Sequence, residues 1–267
     1  MVVVHLPTRG AASSRAGGWE VLCALKHSLR SLAPDIDHGA IPFGIAPIDQ
    51  ALGGGLARAA LHEIAASTES AITAATHFAL GLASHGKEPR AVLWIAEDLG
   101  LLENGAPYGP GLDDLGLSPE RLVTVAAAKS RDVLWAMEEA LRCRPVGVVI
   151  GDMRSADRLD LVASRRLSLA AGQRDVCAFL FRTAPGTDAS AAATRWIVAP
   201  APSRANAAGP GPPRFSVHLT RNRRGPLGSW LLEWHRVERR FSLAPSVPES
   251  VADAACDRPH RAAARGA

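Results

Sequence analysis

Between Glu63 and Ala75 the chain reads EIAASTESAITAA, at the place where a strand–loop–helix unit would carry a phosphate-binding loop. The pattern G-x-x-x-x-G-K-[ST] works because glycines let backbone N–H groups close on the phosphates while the lysine neutralises their β/γ charge. Here Ala66 and Ala71 stand at the glycine positions, Ile72 at the lysine position, and only Thr73 keeps its type. A lost lysine removes charge-assisted bonds of about 1.5–3 kcal/mol each. Alanine where φ should be positive strains or remodels the loop, and Glu69 brings a negative charge toward any polyphosphate. The expectation is a loop that joins strand to helix without gripping a nucleotide, hence no cofactor and no catalysis.

Two carboxylates could have completed such a site. Asp152 follows the apolar run Val146–Ile150, as a magnesium-supporting aspartate does, and Glu97 with Asp98 follows Ala91–Ala96, where a glutamate could orient a water. Without a triphosphate they have nothing to activate, and an Asp after a buried strand is also a good turn residue. His62, His77 and His85 lack H-E-x-x-H spacing, no G-x-S-x-G elbow occurs, and no metal site is expected. The cysteines Cys23, Cys143, Cys177 and Cys256 form no C-x-x-C, which fits a reduced cytoplasm without disulfides or structural zinc. The densest positive cluster is Arg221-Asn222-Arg223-Arg224-Gly225. It reads either as a solvated hairpin tip or as a contact for DNA phosphates or an acidic partner, with Arg236, Arg239 and Arg240 extending the patch.

These residues need elements to position them. Ala91–Ala96, Leu122–Ala126, Val146–Ile150 and Val176–Phe181 are short apolar runs, separated by helical patterns near Arg131–Arg142 and Arg158–Gly172. Strands apolar on both faces with helices between them predict a mostly parallel α/β sheet covered on both sides. Ala184–Pro213, rich in Ala, Pro, Gly and Ser, reads as a mobile loop interrupted by a strand-like Trp196–Ala199. Arg214–Leu219 and Ser229–Trp234 alternate as an antiparallel hairpin, with Trp230 and Trp234 expected in the core.

Residues 1–17 read as a flexible arm and 18–34 as an amphipathic helix with Leu22, Leu25, Leu29 and Leu32 at helical spacing. That stripe packs either on its own domain or on a partner. Residues 35–245 form the core domain, and 246–267 read as a disordered basic tail. The 267 residues carry 47% apolar side chains and a net charge of +4, enough for one large core and compatible with nucleic acid without requiring it. No apolar 18-residue run suggests a membrane span.

The lead-in IPFGIAPIDQALGGGLARAALHEI resembles the segment before the nucleotide loop of RecA-type recombinases, and the likeness continues through Asp152 to FSVHLTRNRRGPLGSWLLEW, over about residues 40–235. Within those relatives, LTRNRRGPLGSW and the leading amphipathic helix resemble the ImuA group of bacterial damage-inducible mutagenesis proteins. The resemblance implies a RecA-like core and a role in SOS-induced mutagenic translesion synthesis. It implies partners of the ImuB (Y-family polymerase-like) and DnaE2 (replicative-type polymerase) kinds, with RecA and DNA as further candidates. Glu97 and Asp152 match the recombinase glutamate and aspartate by position. Ile72 departs from the lysine, and Arg182-Thr183 from the expected glutamine sensor. The reading is therefore a non-catalytic adaptor. The alternatives are a divergent DNA-dependent ATPase or recombinase, and a cell-division inhibitor similar to the SulA group.

Overall fold

The computed structural model describes residues 39–85, 90–154, 159–186, 188–203 and 211–245. The arm, the Leu22–Leu32 helix and the basic tail lie outside the described residues.

Nine strands build one sheet. In chain order the elements are β1 Ala40–Ile41, α1 Ala46–Ala51, β2 Leu56–Ala57, β3 Leu61–Ala66, α2 Ile72–Ser84 and β4 Ala91–Glu97. They continue as α3 Asp98–Asn104, α4 Gly109–Asp114, β5 Leu122–Ala127, α5 Ser130–Leu141, β6 Val146–Met153 and α6 Leu161–Arg174. The chain then forms β7 Cys177–Arg182, β8 Thr194–Ala201, β9 Arg214–Asn222, β10 Gly228–His235 and β11 Arg240–Leu243. The order across the sheet is β11-β10-β9-β8-β3-β7-β6-β4-β5, and β1 pairs with β2 in a separate ribbon. Pairing is parallel from β8 through β5, and antiparallel from β8 through β9 and β10 to β11. The fold is therefore α/β, a mostly parallel sheet flanked by helices and ending in an antiparallel hairpin.

Alternation along the strands divides the core in two. In β7, Cys177, Phe179 and Phe181 join Phe78 of α2 and Trp196 on one face, while Ala178 and Leu180 join Val133 and Met137 of α5 and Leu167 of α6 on the other. Trp234 and Phe241 extend the first face, with ring centroids 4.7 Å apart. Gly81 lets α2 approach them, because a Cβ there would lie 2.8 Å from the Phe241 ring.

Within 184–213, the strand-like Trp196–Ala199 is part of a longer strand, β8, Thr194–Ala201, which is paired on both edges. Its alternation of buried Thr194, Trp196 and Val198 with less buried neighbours decides this over its Ala- and Pro-rich composition. Likewise Leu61–Ala66 is a fully buried strand, so Glu63 belongs to β3 and the loop proper begins at Ser67.

Candidate functional site

Beyond β3 the chain closes into α2 through a tight 3-10 turn, Glu69–Ala71, rather than an open cradle. Ser67 N–H donates to Val198 O at 2.9 Å and Ala71 N–H to Thr68 O at 3.0 Å, so these loop donors are spent within the protein. Ala71 has φ −88° and Ile72 φ −54°, ordinary right-handed values, and among the described residues from Ala66 to Ala75 no φ is positive. The alanines are unstrained because the loop has been rebuilt around them. Ala66 and Ala71 are fully buried in the core, and Ile72 packs against it.

Asp152 lies one residue before the end of β6, on the α2 face with Val148 and Ile150. Two residues on, Arg154 turns back over it. Arg154 Nε donates to Oδ1 at 2.6 Å and Nη2 to Oδ2 at 2.9 Å, a bidentate pair that is nearly inaccessible to solvent. The guanidinium also lies over the Phe181 ring, 5.1 Å from its centroid. Burial pushes the Asp152 carboxyl above its ordinary value, while the Arg154 hydrogen bond and charge pull the other way and Glu97 adds a small upward push. Both carboxylate oxygens are thus bonded to an internal cation at the position where a metal would be supported.

Glu97 does not join this pair. Its alternation places it with Ile95 toward α5, where Ser130 Oγ donates to Oε1 at 2.7 Å. A magnesium nucleotide therefore fits poorly: the lysine is absent, the loop has closed, Asp152 is occupied and Glu97 faces the other side of the sheet. Among the described residues no group of three or more His, Cys, Asp or Glu side chains could hold a metal ion.

A cavity of about 320 Å³ opens beside this pair. It is bordered by Thr73, Thr76 and His77 of α2, Trp94, Asp152, Arg154 and the loop from α3 to α4. His77 packs on Phe215 and Trp234, and burial first, then Arg236, lowers its pKa from 6.5 to about 4, leaving it neutral.

The arginine cluster sits elsewhere, around the turn from β9 to β10. Glu63, Arg195 and Arg221 form one row across β3, β8 and β9. Arg195 Nε donates to Glu63 Oε2 at 2.6 Å, and its Nη1 and Nη2 donate to Gly186 O and Asp188 O at 2.8 and 2.9 Å. Ser190 Oγ also donates to Glu63. Burial, then Arg223 and Arg195, lowers the Arg221 pKa, so these cations repel one another with Glu63 as partial counter-ion. Arg223 Nη2 reaches Ser190 O at 3.2 Å, Asn222 Nδ2 donates to Ala51 O at 2.7 Å, and the Arg223 and Arg224 side chains are exposed.

Arg236 is not part of this cluster. It lies just past the far end of β10, eight residues or about 25 Å along, and pairs with Asp114 at 3.1 Å; Arg240 there pairs with Glu238. The expected extension of the patch fails because a strand intervenes. Leu22, Leu25, Leu29 and Leu32 lie outside the described residues. Sequence reading missed Arg154 and Arg195. The first had a visible signal, a cation two residues after a strand-terminal Asp; the second did not, because its partner is 132 residues away.

Comparison with known proteins adds a relationship to this geometry. The chain is 32% identical over 212 residues to Protein ImuA of Caulobacter vibrioides strain NA1000 / CB15N, an alignment covering 72% of this chain and 82% of that protein. Protein ImuA of strain ATCC 19089 / CIP 103742 / CB 15 gives the same values. The chain belongs to the ImuA family. No protein-family model matches it. For the family, the described residues supply a closed loop at Ser67–Ala71, a self-neutralised Asp152 and an exposed arginine turn. No helix among them is long and apolar enough to cross a membrane.

Proposed function

We propose that the chain is a RecA-like scaffold acting without nucleotide turnover, as an adaptor in SOS-induced mutagenic translesion synthesis in the cytoplasm. Family membership ties it to damage-inducible mutagenesis. The observation that carries the non-catalytic reading is the Arg154–Asp152 pair, which fills both oxygens of the carboxylate a metal would need. On this reading the protein works through surfaces. At the Arg221–Arg224 turn the exposed Arg223 and Arg224 offer bidentate donors to DNA phosphates, and other faces recruit an ImuB-type polymerase-like protein, a DnaE2-type polymerase and RecA.

Two measurements test it. Equilibrium binding of ATP with Mg²⁺ and single-stranded DNA present is expected to show no micromolar affinity; micromolar binding with hydrolysis favours a divergent ATPase. Co-purification from damaged cells is expected to retain at least one of the two polymerase-type partners, and retention of neither ends the adaptor reading. Arg223→Ala with Arg224→Ala is expected to weaken DNA contact and reduce its salt dependence, leaving partner capture unchanged.

A further inference from the structure

We infer that the lobe made by α3, α4 and the loop between them docks a basic amphipathic helix of a protein partner. Residues 97–120 contain six acidic side chains, Glu97, Asp98, Glu103, Asp113, Asp114 and Glu120, and no Lys, Arg or His, within a chain of net charge +4. All but Glu97 are exposed. Asp114 is paired with Arg236, and the other exposed carboxylates, Asp98, Glu103, Asp113 and Glu120, set up a local field of the opposite sign to the arginine turn.

Apolar side chains stand out of the same lobe. Leu102 is 83% exposed, Tyr108 75% and Leu99 60%. Leu99 and Leu102 are three apart on α3 and so are surface neighbours, while Leu101 between them packs against the core. Tyr108 also borders the 320 Å³ cavity, together with Pro107, Leu112 and Leu115. The ionic groups on that wall cancel as the Asp152–Arg154 pair, and His77 is held neutral. The cavity therefore suits an uncharged side chain, and the rim suits cations around it. That combination is what an amphipathic helix with Leu-type anchors and Lys/Arg flanks presents to a groove.

Charge separates this occupant from others. An acidic rim repels DNA phosphates and anionic lipid. Two copies meeting through the same face would oppose acid to acid. The inference rests on the adaptor reading only in taking a protein as the occupant.

The test uses the full chain and a labelled 18-residue helical peptide with leucine at i, i+3, i+4 and i+7 and Lys/Arg elsewhere, followed by fluorescence anisotropy. Expected is saturable binding that a scrambled peptide of equal composition loses by about tenfold or more, because anchors as well as charge are read. Glu103→Lys with Asp113→Lys is expected to weaken it by a similar factor and to flatten its salt dependence. Leu102→Ser with Tyr108→Ser should weaken it without changing salt dependence. All four positions are exposed, and circular dichroism confirms that each variant is folded. Equal binding of the scrambled peptide, absence of binding, or self-association abolished by the Leu102/Tyr108 variant overturns the inference. Polymerase capture unaffected by both variants, together with absent peptide binding, sinks the lobe and spares the adaptor reading. Peptide binding without any polymerase capture does the reverse.

Discussion

The guanidinium of Arg154 lies flat against the carboxylate of Asp152, 2.6 and 2.9 Å from its two oxygens, with the Phe181 ring beneath it. Removing one partner of a buried pair leaves an uncompensated charge, which typically costs about 3–5 kcal/mol. Arg154→Met should therefore lower the stability read by urea unfolding by roughly that amount. Asp152→Asn with Arg154→Met should cost much less than the sum of the single changes, because neither charge is then stranded. Additive single losses would mean that the two groups do not act as a unit.

Restoring the lost lysine should not restore nucleotide binding. In Ala71→Gly with Ile72→Lys, the 3-10 turn still consumes loop donors and Arg154 still holds Asp152. Isothermal titration with Mg-ATP is expected to show affinity weaker than millimolar. Micromolar binding by this variant would place the whole loss of function in the loop and none of it in Arg154.

The central strands β4, β6 and β7 were legible in the sequence because they are apolar on both faces and leave no alternation to misread. β3 was obscured by His62 and Glu63, polar residues whose partners Thr194, Ser190 and Arg195 lie at least 127 residues away. β8 was legible only at its centre, Trp196–Ala199; its Ala/Pro surroundings hid the ends, although the buried alternation runs on from Thr194. The same distance effect applies to the site. Missing glycines and lysine are local facts, whereas the divergence of Glu97 from Asp152 depends on which face each strand end presents.

Two histidines, buried His62 and half-buried His77, set an acid limit. His62 is held by Thr194 Oγ1 at Nδ1 and by Ala57 O at Nε2, each 2.8 Å away. The carbonyl can only accept, so Nε2 carries the proton and Nδ1 accepts from the hydroxyl. Burial lowers the pKa of both His62 and His77 from 6.5 to about 4. As pH falls, the unfolded chain takes up these protons first. The stability involved is complete above pH 6.5 and drains away toward pH 4, by up to about 3 kcal/mol per histidine. The urea midpoint should fall over that window. His77→Phe, which also removes an Nε2 without a hydrogen-bond partner among the described residues, should shallow the decline. A midpoint constant from pH 7 to 4.5 would show that neither ring is buried neutral.

Gly81 places helix propensity against packing. In an exposed helix, Gly→Ala gains about 0.8–1 kcal/mol. At Gly81 the added Cβ would meet Phe241 Cζ at 2.8 Å and Cε2 at 2.9 Å, and Trp234 Cζ3 at 3.3 Å. Both aromatic residues are fully buried, and Phe241 also packs against Phe78 and Phe215, so the ring has no free direction in which to yield. Overpacking of this kind costs about 1–3 kcal/mol and should outweigh the propensity gain. Gly81→Ala is therefore expected to lower the thermal midpoint. Combining it with Phe241→Leu should recover part of the loss, because the smaller side chain makes room for the methyl group. A raised midpoint in the single variant would mean that α2 and the terminal hairpin are less closely packed than 2.8 Å implies.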